Sequence, residues 1–154
     1  MGFFFGLSAE FGTIKTDCER FIDFFHGRTV TTKMGNYFLT AYFQPYESNY
    51  WSWIVPDNLS KTGIHSDSDA LEMKFVGIEL LNLIKSVPYF RYCILGIDID
   101  VYLPEKDLLD NPKFIDEIDG FVIEKNLYDR IGKPGTFSEF MPGYVWKEYR
   151  GEKF

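Results

Sequence analysis

Histidine and cysteine are scarce in this 154-residue chain, at two each. Neither pair has the close spacing of a zinc site. Cys18 and Cys93 are too few for a disulfide framework, and both sit among apolar neighbours, as small buried hydrophobes do. Cys18 and His26 fall on one expected helix, about 12 Å apart along its axis, whereas a nucleophile and its base must come within about 3 Å. Serine elbows and phosphate loops are also missing: "GKPG" at 132–135 is too short and is not followed by a Ser or Thr in a helix. The acidic triplets "DSD" (67–69) and "DID" (98–100) lack the remaining ligands and the glycine of a calcium loop. No catalytic residue, metal ligand or cofactor is therefore assigned.

Long apolar runs are absent as well. None approaches the ~18 residues of a membrane span. The opening "MGFFFGLSAEFG" has no basic segment, and glycines at 2 and 6 interrupt it. Its Phe3, Phe5, Leu7, Ala9 and Phe11 alternate, which predicts a first strand in place of a signal peptide. A cytoplasmic location is the expectation. Basic residues are missing between Lys33 and Lys61, where Tyr42, Phe43, Tyr46, Tyr50, Trp51 and Trp53 cluster. Base-stacking platforms need cations beside their rings, and a net charge of −7 repels phosphate. Nucleic acid is excluded as a partner.

Aromatic residues are abundant, at 19%, so a chain of this length can bury a substantial core. One domain spanning 1–154 is expected. Thr16 and Glu19 have capping-box spacing, and Gly27 is a stop signal, predicting a helix over 16–26. Gly35-Asn36 predicts a hairpin between strands near 28–34 and 37–44; a loop then leads to a strand over 50–55. A second helix is expected over 69–86, capped by Asp69. Its apolar face is expected to be wide, with Leu71, Phe75 and Ile78 in one row and Met73, Val76, Leu80 and Ile84 in another. "YCILGIDIDVYL" alternates, placing Cys93, Leu95 and Ile97 inward and Tyr92, Asp98, Asp100 and Tyr102 toward solvent. Helical turns over "DLLDNPKFIDEI", a strand at "GFVI", a helix at "EKNLYDRIG" and a strand at "GYVWKEY" complete the chain. The fold class is α+β: a mainly antiparallel sheet with two principal helices packed on it.

Charge is distributed unevenly. Residues 98–129 hold ten acids against three lysines, while the rest of the chain holds 13 acids and 13 basic groups. All of the net charge thus arises in one segment. Tyrosines flanked by carboxylates suit a protein interface, and clustered charge steers a basic partner. Tyr92, Asp98, Asp100, Tyr102, Glu105 and Asp107 are the expected partner-binding residues. A small, acidic, Tyr- and Trp-rich domain without an active site is similar in kind to immunity proteins, which implies an inhibitor of a basic toxin domain. The alternative is a small-molecule-binding or enzymatic domain whose pocket uses Tyr46, Tyr50, Trp51 and Trp53.

Overall fold

The computed structural model describes residues 5–59, 64–97 and 103–154. Among them are eight strands: β1 (Gly6–Glu10), β2 (Thr29–Thr32), β3 (Gly35–Tyr46), β4 (Asn49–Pro56), β5 (Tyr92–Gly96), β6 (Phe121–Glu124), β7 (Ser138–Met141) and β8 (Tyr144–Trp146). They form one sheet in the order β2-β3-β4-β1-β5-β6-β8-β7, with every neighbouring pair antiparallel. The helices are α1 (Lys15–Phe25), α2 (Asp67–Ile84), α3 (Glu105–Asp110) and α4 (Lys125–Arg130), with a 3-10 helix at Pro112–Glu117. The α+β expectation holds, and no helix among the described residues is long and apolar enough to cross a membrane.

Alternation along β1 sends side chains to two different cores. Leu7 and Ala9 join Cys18, Phe21 and Phe25 of α1 and Met73, Val76 and Leu80 of α2. On the other side of the sheet, Trp51, Tyr92, Phe121 and Ile123 pack against Leu108, Ile115 and Leu127 from the short helices. The sheet is thus covered on both faces over β1, β5 and β6. This corrects the expectation that β5 has one solvated side. Tyr92, placed outward by that reading, is fully buried, because the segment that follows folds back over it.

α1 forms, but its expected cap does not. The cap position is Ile14, without a side-chain hydrogen bond, and Thr16 lies inside the first turn. The chain enters α1 from a turn at Gly12 (φ +63°), where backbone hydrogen bonds join Phe11 and Gly12 to Tyr50. That clamp brings the backbone into helical geometry before the cap signal. α2 also begins early. Ser66 is its cap, accepting from the Asp69 amide at 3.1 Å, while Asp69 accepts from the His65 amide at 2.9 Å. Its buried face is centred on the Met73, Val76, Leu80 and Ile84 row, and Leu71 and Ile78 are exposed. Gly77 belongs to that buried face because Tyr149 and Leu95 press on it. A Cβ there would lie 2.8 Å from the Tyr149 ring.

The first hairpin turns at Lys33-Met34, since Thr32 pairs with Gly35. The expected turn residues Gly35 and Asn36 lie in the ladder instead. Local polar bonds select this register: the Thr32 hydroxyl accepts from the Met34 amide, and the Thr31 hydroxyl donates to Asn36 Oδ1. β3 continues through Pro45 to Tyr46, where a loop was expected. β2 pairs only as far as Phe38, so the distal half of β3 is an edge that tolerates proline.

The two helix starts can be compared directly by denaturant unfolding. Ser66→Ala is expected to lower stability by about 1 kcal/mol through loss of the cap bond, with Thr16→Ala close to neutral. A larger loss from Thr16→Ala would contradict the observed start of α1.

Candidate functional site

Glu10 occupies the last position of the central strand, and its side chain has no solvent exposure. A carboxylate there must be paired. Gly12 donates its amide to Oε1 at 2.5 Å, and Asn49 Nδ2 donates to Oε2 at 2.9 Å. Arg91 supplies the counter-charge through two contacts, Nε to Oε1 at 2.7 Å and Nη2 to Oε2 at 2.5 Å. This is the bidentate fork that suits guanidinium and carboxylate. Arg91 is held there by the backbone too, since its amide donates to the Glu10 carbonyl.

The third face of the guanidinium reaches outward. Arg91 Nη1 donates to Glu105 Oε2 at 3.1 Å, and Arg130 of α4 donates to Glu105 Oε1. Glu105 therefore joins the sheet, α3 and α4. Burial alone would raise its pKa, but Arg91 and Arg130 outweigh that and hold the carboxyl below the usual range. Desolvation likewise opposes the Arg91 charge, and Glu10 and Glu105 overcome it and push its pKa up. The Tyr92 hydroxyl closes the assembly by donating to the Leu103 carbonyl at 2.8 Å.

Several acids of 98–129 are neutralised by cations from outside that segment. Arg91 and Arg130 serve Glu105, Lys147 pairs with Asp116 at 3.2 Å, and Lys133 lies 3.8 Å from Asp129. Asp107, Asp110 and Glu117 are exposed and form no ion pair with described residues. Leu103, Asp107, Asp110, Asn111 and Phe114 line a groove of about 310 Å³. Its lining is apolar as well as acidic: Phe114 is 44% exposed. Leu108 and Ile115 point the other way, into the core, and anchor the surface.

The expected partner-binding residues separate accordingly. Tyr92 is core, Glu105 is a bridge between Arg91 and Arg130, and Asp107 lines the groove. Asp98, Asp100 and Tyr102 lie outside the described residues. The groove adds Leu103, Asp110, Asn111 and Phe114. Phe114 was legible only as an apolar residue left over after Leu108 and Ile115 are assigned to the core.

The alternative pocket divides as well. Tyr46 and Trp51 line a cleft of about 230 Å³ with Asn49, Glu105 and Lys106. Tyr50 lies on the opposite sheet face, packed against Phe43 at 5.7 Å, and Trp53 is half-buried beyond the cleft. Cys18 is buried, its thiol directed to the Trp51 carbonyl at 3.4 Å, and burial, with Glu19 adding to it, raises its pKa to about 12. It is a thiol under physiological conditions, not a nucleophile. No family model, curated protein or solved structure matches this chain.

Because the Glu105 pKa is lower folded than unfolded, its stabilising pairs persist above the unfolded value and disappear as pH falls through the folded one. The stability difference between the protein and its Glu105→Gln variant should be constant above about pH 5 and shrink below about pH 4. Urea midpoints across pH check this. A difference independent of pH would mean Glu105 carries no paired charge.

Proposed function

We propose that this chain is a small protein-binding inhibitor, and that its partner is a basic protein seated on the groove formed by α3 and the 3-10 helix. The finer reading is an immunity protein that neutralises a basic bacterial toxin domain in the cytoplasm. One observation carries the proposal: Phe114 is exposed and lines a groove with Asp107 and Asp110, which form no ion pair among the described residues. An apolar ring beside two carboxylates fits the stem and head of a lysine or arginine. Burying the Phe114 ring contributes affinity, while the acids set orientation and association rate. Such a groove would cover a cationic cleft by matching its charge.

A ligand-binding or enzymatic domain with its pocket near Tyr46 and Trp51 is the competing reading. That cleft is smaller than the ~300 Å³ at which small-molecule sites begin. The charges beneath it, Glu10, Arg91 and Glu105, are committed to one another. The groove reading is favoured.

Affinity capture from the source cell, followed by binding kinetics on the captured protein, tests the proposal. A basic protein should be retained. Asp107→Asn with Asp110→Asn should slow its association and flatten the salt dependence, with dissociation changed less. Phe114→Ala should weaken binding by about 2 kcal/mol or more, as an interface anchor does. An acidic partner, or kinetics unchanged in all these variants, would contradict the proposal.

A further inference from the structure

β3 outruns its partner β2, and the main-chain groups left over can be named. Phe38 accepts from the Asp57 amide, and Pro56, opposite Leu39, has no amide to give, so even-numbered residues bond to β4. Odd-numbered residues point the other way: Leu39 donates to the Arg28 carbonyl and accepts from the Gly27 amide. Further along this edge, Ala41 donates to His26 Nδ1 at 3.1 Å. The Ala41 carbonyl, the amide and carbonyl of Phe43 and the Pro45 carbonyl have no hydrogen-bond partner among the described residues. Three acceptors and one donor thus stand in a row on an open edge. Alternation turns Phe43 toward α1, and the two enclose a groove of about 390 Å³. Lys15, Glu19, Ile22 and Asp23, one stripe at helical spacing, form its other wall. Lys15 lies over the Phe43 ring at 5.7 Å, whereas Glu19 and Asp23 are exposed and form no ion pair with described residues.

We propose that this edge binds an extended, basic segment of another protein, which adds to the sheet as a further strand antiparallel to β3. The residue opposite Phe43 exchanges two main-chain bonds with it, and the residues two positions either side donate to the Ala41 and Pro45 carbonyls. Those three residues share one face, so their side chains enter the α1 groove. Charge selects their type. A lysine or arginine there lays its stem along Phe43 and Ile22 and its head against Glu19 and Asp23. A second copy of β3 fits this edge poorly. Centred on Phe43, it would oppose Ala41 to Pro45, and neither brings a free amide to the other's carbonyl. The edge lies on the α1 side of the sheet and is independent of the α3 groove.

A capped peptide of about seven residues, lysine alternating with valine, titrated against the full chain, is the probe. It should bind with a dissociation constant below about 1 mM and shift the amide resonance of Phe43. N-methylation of its lysines blocks the amides aimed at β3 and should abolish binding, whereas N-methylation of its valines should preserve it. Glu19→Gln combined with Asp23→Asn should weaken binding about fivefold. Asp107→Asn with Asp110→Asn should leave it unchanged, because the peptide does not use the α3 groove. Equal binding of both methylated peptides would reduce the contact to charge attraction and overturn the proposal. A lysine peptide that fails to bind at all, or whose binding is lost in the Asp107 and Asp110 variant, would overturn it as well.

Discussion

A carboxylate at the end of the central strand, buried without solvent contact, is the constraint on which the second half of the fold depends. Glu10 has sheet on both sides and a helical layer above it. Arg91 answers its charge, and removing one member of such a pair typically costs about 3–5 kcal/mol because the other is left buried and unpaired. The pair cannot by itself occupy all the guanidinium donors. Glu105 takes one of them and also binds Arg130, so α3 and α4 are tied to the strand by a chain of alternating charges. Hydrophobic burial of Leu108, Ile115 and Leu127 supplies the adhesion between layers. The ion chain contributes direction, because its forked geometry allows one placement of α3.

That placement determines which acids remain available. Net charge counted along the sequence concentrates over 98–129. In space the same segment meets Arg91, Arg130, Lys133 and Lys147, and among its described acids Asp107, Asp110 and Glu117 are the exposed ones left without an ion pair, the first two beside the exposed Phe114. Internal pairing therefore sharpens a broad acidic segment into a small acidic and apolar surface. On the β3–β4 face that carries Tyr42 and Trp53, by contrast, the strands place no charged side chain.

Alternation and helix periodicity read most of the elements correctly, because those patterns arise locally. β1, α1, α2 and the strand at β6 stand where their side chains predict. What could not be read locally was the number of layers. Tyr92 alternates in step with Asp98 and so reads as solvated, yet it is buried by residues far along the chain. Buried ion pairs pose the same difficulty: Glu10 and Arg91 are separated by 81 residues, and nothing near either one marks it as paired. The caps failed for another reason. At both helices the signal for a start was present, and the tertiary clamp at Gly12 or the nearby Ser66 displaced it by one to three residues. The β3 edge that accommodates Pro45 likewise depends on how short β2 is.

If the α3 groove is the partner surface, complex formation must slow amide exchange there more than anywhere else. Hydrogen exchange followed by mass spectrometry on the chain, free and saturated with its captured basic partner, measures this directly. Slowed exchange across 103–117, with the β2–β3 face little changed, is the expected result. Protection absent from 103–117 while another surface is shielded would contradict the assignment of the acidic groove as the site of inhibition.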